Sequence, residues 1–97
     1  MDYRLIWSPQ AIEDIIAIAE YIGRDSSIYA ESTVEQIFQA PERLIKFPKL
    51  GRLVPEKNDE SIREIFVFQY RIIYEILTTE IHILTVVHGK RIIEDLM

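Results

Sequence analysis

The sequence predicts an α+β domain of order β-α-α-β-β-β, with two N-terminal helices packed on one face of a small, largely antiparallel sheet. Three observations carry this. The chain opens on a short aromatic and aliphatic stretch that stops at Ser8-Pro9. Residues 9 to 47 then repeat apolar side chains at helical spacing, and residues 62 to 88 alternate apolar and polar side chains between short polar breaks. At 97 residues the chain has room for one domain, 1–97, with one modest core.

The stretch "YRLIW" (3 to 7) reads as the first strand. Ser8 is a good N-cap and Pro9 suits the first helical position, where its missing N–H costs nothing. Glu13 and Asp14 fall near the positive end of the helix dipole. Ile12, Ile15, Ile16, Ala19 and Ile22 recur at helical spacing and predict the buried stripe, with Gly23 closing the helix. Ser26 or Ser27 caps a second helix through Ala30, Val34, Ile37 and Phe38. Pro41 removes a backbone hydrogen bond, so a kink or a fresh start is expected there, running to about Phe47.

The stretch "FPKLGR" (47 to 52) breaks the helix, with Gly51 expected in a left-handed turn, and "PEKNDES" (55 to 61) reads as a loop. Strands follow at "IREIFVF" (62 to 68), "YRIIYEI" (70 to 76) and "IHILTVVH" (81 to 88), with turns at Phe68-Gln69 and Thr78-Thr79. Repeats, low complexity and linkers are not evident.

Hydrophobic residues make up 48% of the chain, eighteen of them isoleucine, a heavy load for so small a domain, so some apolar surface is expected to serve a partner. There is no cysteine, which excludes disulfides and thiolate metal sites and is compatible with a reducing compartment. No signal-peptide pattern and no membrane-spanning apolar run is present, so a soluble cytoplasmic protein is expected. The net charge of −5 argues against nonspecific coating of nucleic acid, which rests on neutralising phosphates. Charge is uneven, however. Between Arg43 and Lys57 five basic residues face only Glu56, which is either a solvated basic loop or an anion-facing edge.

In "YRIIYEI" strand alternation puts Tyr70, Ile72, Tyr74 and Ile76 on one face and Arg71, Ile73 and Glu75 on the other. One face must pack on the helices and the other is expected to stay open. An arginine there reaches water, meets a carboxylate, or waits for a ligand. Arg71 beside Ile73 suits a ligand that is partly apolar and partly acidic.

Trp7-Ser8-Pro9, "FPKLGRLVPE" (47 to 56), Arg63 at the start of a strand, "YRIIYEI" and "VVHGKR" (86 to 91) together resemble the RelE/ParE-like toxins of bacterial type II toxin–antitoxin systems, over nearly the whole chain. The resemblance implies a toxin blocked by a cognate antitoxin in a hetero-oligomer, with no cofactor and no metal. Members similar to ParE poison DNA gyrase by protein contact. Members similar to RelE cleave messenger RNA in the ribosome. A third reading is a member without toxicity that acts as a binding module.

By that resemblance Arg71, Ile73 and Glu75 are the expected antitoxin-binding residues, Arg71 because its family position lies beside the antitoxin groove. RNA cleavage needs Arg or Lys on the phosphate and proton-transfer groups on the oxygens. Glu56, Arg63, His88, Lys90 and Arg91 would form that set. The gyrase branch is favoured because the chain is acidic, lacks the tyrosine that several cleaving members carry after the last strand, and ends on an apolar segment. Its expected target contacts are His88, Lys90, Arg91, Ile92, Ile93 and Leu96, and no catalytic residue is then required. Structural roles compete with these: His88 capping a turn, Arg63 pairing with Glu60, Glu64 or Glu75, and Tyr70 and Tyr74 serving in the core or lining a groove.

Overall fold

Ser8 does more at the start of the first helix than cap it. Its hydroxyl accepts the Ala11 N–H at 3.0 Å and donates to the Leu84 carbonyl at 2.8 Å, while its own N–H donates to the Ile83 carbonyl at 3.0 Å. One small residue thereby ends strand β1 (Arg4–Trp7), begins helix α1 (Pro9–Gly23) and ties both to the last strand. The computed structural model describes residues 2–91. After α1 come α2 (Ser27–Gln39), two 3-10 turns (Ala40–Ile45 and Pro48–Leu50), and strands β2 (Arg52–Leu53), β3 (Ile62–Val67), β4 (Tyr70–Ile76) and β5 (Glu80–His88). The sheet runs β1-β5-β4-β3-β2, parallel between β1 and β5 and antiparallel elsewhere.

The expected architecture holds, with local corrections. In α1 the buried positions are Ala11, Ile15, Ile18 and Ile22, whereas Ile16 is 52% exposed, because the stripe facing the sheet is rotated toward Ile18. Gly23 ends the helix without a left-handed residue: Arg24 stays right-handed and the Asp25 and Ser26 N–H groups close on the Ile22 carbonyl. Ser26, of the two candidates, caps α2 by accepting the Tyr29 N–H. Pro41 does force a fresh start, as a 3-10 turn. The two-residue β2 was not expected from the sequence, being too short to leave a periodic pattern.

Gly51 is extended, at φ −73°, not left-handed. Its need for glycine is space: a Cβ there would lie 2.6 Å from both the Glu64 carbonyl and the Tyr74 hydroxyl. Among the described residues the positive φ outside glycine is that of Phe68, at 53°, in the expected turn between β3 and β4.

Alternation along β4 divides the sheet as anticipated. Tyr70, Ile72 and Tyr74 join α1, α2 and Leu44 in the main core. On the opposite face Ile73 packs with Val54 and Val87 in a smaller cluster, covered by Ile62 and Leu84. Pairing shifts between Ile73 and Tyr74, whose partners are Thr85 and Ile83, so Leu84 is unpaired and β5 bulges. Asp14 of α1 accepts from the Thr85 hydroxyl and from the Val86 N–H there, satisfying the irregular strand and fixing the helix against it. Among the described residues no helix is long and apolar enough to cross a membrane.

Candidate functional site

The face of β4 that carries Arg71 is not open at that residue. Arg71 is 3% exposed and Ile73 is fully buried, which corrects the expectation that both stand ready on a free sheet surface. Glu75 is half-buried beside them. The cover comes from Val54 and Glu56, on the segment that follows β2.

The guanidinium of Arg71 is surrounded. Its Nη1 and Nη2 donate to the two carboxylate oxygens of Glu56, each at 2.8 Å, a bidentate pairing. Its Nε donates to Glu64 at 2.7 Å, Nη2 lies 2.6 Å from the same oxygen, and Nη1 also donates to the Arg91 carbonyl at 3.0 Å. Glu64 is 1% exposed, and its other oxygen accepts from Arg52, whose guanidinium lies 5.1 Å over the Phe66 ring. Positive and negative groups thus alternate as Arg52, Glu64, Arg71, Glu56. The pairing with Glu56, followed by Glu64, holds Arg71 firmly charged against the opposing effect of burial. Of the three fates open to this arginine, the structure selects the carboxylate.

The other expected site residues do not form one cluster, because Arg63 stands apart from His88, Lys90 and Arg91. Arg63 donates through Nη1 to the Gly51 carbonyl at 3.0 Å and through Nε to the Glu60 carbonyl at 3.2 Å, so its partners are backbone oxygens and not the carboxylates anticipated. It stands opposite Tyr74, whereas His88 stands opposite Tyr70. Four residues of strand separate these positions, about 13 Å along the sheet. His88 is exposed, its Nδ1 accepts the Lys90 N–H at 3.2 Å, and its ring meets Tyr70 edge-on at 6.1 Å. The capping role weighed for His88 is therefore present. Lys90 and Arg91 are exposed next to it. His88 and Arg91 border a hollow of about 320 Å³ between α1 and the sheet, which also takes in Asp14, Tyr21 and Tyr70. Ile92, Ile93 and Leu96, the apolar part of the expected target contact, lie outside the described residues.

A second constellation was missed. The Tyr74 hydroxyl, on a fully buried side chain, donates to the Pro48 carbonyl at 2.6 Å and accepts the Gly51 N–H at 3.0 Å. Burial raises its pKa above the ordinary phenol value, opposed by the Gly51 N–H and by Arg63, so the hydroxyl keeps its proton for Pro48. It fixes the turn carrying Lys46 to Leu50, where Phe47 is 65% and Leu50 51% exposed. Tyr74 was legible as a core residue, but nothing in the sequence marks where its hydroxyl ends.

Residues 5–93 match the family described as the ParE toxin of the type II toxin–antitoxin system parDE. The chain belongs to this family. It is 29% identical over 90 residues to Toxin RelE2 of Caulobacter vibrioides, covering 92% of this chain and 98% of that protein. Its fold is that of the chromosomal ParDE system of P. aeruginosa, with a TM-score of 0.75 at 20% identity, covering 91% of this chain and 97% of that one. The fold is also shared with the toxin–antitoxin complex RelBE2 of Mycobacterium tuberculosis, at a TM-score of 0.58 and 20% identity, covering 91% and 99%. A ParE-type toxin of the RelE/ParE superfamily is thus the frame in which the site has to be read.

Proposed function

We propose that this toxin arrests growth by binding DNA gyrase and is neutralised by a cognate antitoxin, without catalysing a reaction itself. One observation supports the choice between the branches: Glu56 and Arg63 are engaged by internal partners, and Arg63 stands about 13 Å along the sheet from His88, so the full RNA-cleaving set is not assembled. A general base must be free to take a proton, and Glu56 is held by both oxygens on Arg71. A phosphate-binding arginine must offer donors, and Arg71 directs its own to Glu56, Glu64 and the Arg91 carbonyl while Arg63 turns Nε and Nη1 to backbone carbonyls. The net charge of −5 adds to this, since a ribosomal site is built of phosphates.

The second reading, ribosome-dependent cleavage of messenger RNA, draws on the likeness to Toxin RelE2 and on His88, Lys90 and Arg91, which stay exposed together at the end of β5. Two assays separate the readings. Purified toxin is expected to inhibit DNA supercoiling by gyrase and to leave messenger intact on translating ribosomes. Codon-positioned cleavage of messenger that disappears in His88→Ala would reverse the order.

A further inference from the structure

The 3-10 turn at Pro48–Leu50 and the residues before it present exposed apolar and cationic side chains together. Phe47 and Leu50 stand half or more in water, and with Tyr3, Pro48 and Ile76 they line a hollow of about 470 Å³ rimmed by Lys46 and Lys49. That space admits one or two large side chains.

Leaving such groups exposed is unfavourable, and here the exposure is not an accident of a loose loop. The Leu50 N–H closes on the Phe47 carbonyl at 3.0 Å and the Phe47 N–H on the Arg43 carbonyl at 3.1 Å. The Tyr74 hydroxyl holds Pro48 and Gly51 from below, and the Tyr3 N–H holds the Ile45 carbonyl at 2.9 Å. A partner docking here would therefore order little of the turn itself, which is the usual route to affinity from a small patch.

Charge indicates the partner. Lys46 and Lys49 have no ion-pair carboxylate among the described residues, although the chain as a whole is acidic. The adjoining hollow, which shares Lys46, Phe47 and Leu50, sets Asp2 and Glu42 against Arg43 and Lys46, whereas the hollow with Lys49 is lined by two lysines and no carboxylate, so an acidic partner is favoured on the Lys49 side. The lining joins the rings of Tyr3 and Phe47 to Pro48, Leu50 and Ile76 and holds no arginine, a mixture that suits an apolar protein side chain better than RNA, whose recognition calls for arginines beside the stacking faces.

We propose that the turn from Lys46 to Leu50 is the surface by which this toxin docks on gyrase, receiving a large apolar side chain from an acidic protein patch between its two lysines. This rests on the gyrase reading above. It places the contact at the opposite end of β4 from Arg71 and gives the basic edge a function of its own.

The test is a supercoiling assay with purified gyrase and titrated toxin, using wild type, the double variant K46E/K49E, and Leu50→Ser as an uncharged second probe. Wild type is expected to inhibit. Both variants should need roughly tenfold more protein for half inhibition, with unchanged thermal melting and antitoxin binding. Added salt should weaken wild type and leave K46E/K49E little changed. Inhibition by both variants equal to wild type would overturn the assignment and leave the gyrase reading standing, whereas an inert wild type would remove both. Loss of antitoxin binding or RNA binding with gyrase inhibition intact would also overturn it, giving the hollow to that other ligand.

Discussion

Two regions of this toxin combine cations with apolar side chains, and they differ in who supplies the counter-charge. At Arg71 the protein supplies it, through Glu56 and Glu64, and covers the group. At Lys46 and Lys49 it supplies none among the described residues and leaves Phe47 and Leu50 in water. A buried charge needs partners in the same chain because desolvation is costly, and an exposed charge beside a fixed apolar hollow can wait for them. A cation in an apolar strand is therefore weak evidence for a ligand wherever acids of its own chain can reach it, as Glu56 and Glu64 reach Arg71.

The sharpest way to break this contrast is Arg71→Glu. At an open groove a charge reversal would weaken a complex and spare the fold. Here it would gather a third carboxylate against Glu56 and the fully buried Glu64. The expected loss is about 3–5 kcal/mol or more, enough to unfold a domain of this size, read as collapse of the urea midpoint. A protein that stays folded and loses only antitoxin binding would return Arg71 to the surface. The double variant Arg71→Met with Glu64→Leu should lose less than Arg71→Met alone, because it removes the fully buried carboxylate and leaves only the partly exposed Glu56 without its arginine.

A smaller effect is expected from Gly51→Ala, which sharpens the other half of the comparison. The new Cβ would sit 2.6 Å from the Glu64 carbonyl and from the Tyr74 hydroxyl, and the first is strand backbone with little room to move. Relief has to come from a shift of the residue 51 backbone away from β3 together with displacement of the Tyr74 hydroxyl, and with it the Pro48 and Gly51 hydrogen bonds. A loss of about 1–3 kcal/mol in urea denaturation is expected. On the proposed docking of Lys46 to Leu50 with gyrase, inhibition should fall with it, since the display of Phe47 and Leu50 depends on that hydroxyl. Unchanged stability would mean that Tyr74 does not hold the turn.

Much of this was legible in the sequence, and the failures have physical causes. Ser8-Pro9, Ser26 and Pro41 act through local backbone rules, so they could be read from neighbours alone. The two faces of β4 followed from alternation. Ile16 and Ile18 could not be ranked that way, because a helix rich in isoleucine offers several apolar stripes and only the sheet beneath selects one. The Arg71 pairing was half-readable: a turn at Phe68-Gln69 places Phe66 opposite Arg71 and Glu64 one diagonal step away on the same face. Glu56, by contrast, reaches Arg71 from a loop whose path no periodicity encodes, and the Tyr74 hydroxyl reaches Pro48 across 26 residues.

The weakest effect should come from the third arrangement of charge in the molecule, the cluster of Arg4, Glu80 and His82 at the sheet edge, which is neither buried nor left waiting. His82 first, then Arg4, hold the Glu80 carboxyl below its ordinary pKa of 4.5. A carboxyl whose folded pKa is depressed contributes stability that is present above the unfolded value and is lost as pH falls through the folded one. Glu80→Gln should therefore flatten the acid limb of stability below about pH 4.5, where the wild-type carboxyl takes up its proton. At neutral pH it should move the urea midpoint less than Gly51→Ala does, because solvent and salt screen an exposed pair. Urea titrations of both proteins from neutral pH down through that window give the comparison directly. A neutral-pH loss as large as that of Arg71→Glu would show that exposure does not decide what an ion pair contributes in this fold, and the contrast between the Arg71 and Lys46 regions would lose its physical basis.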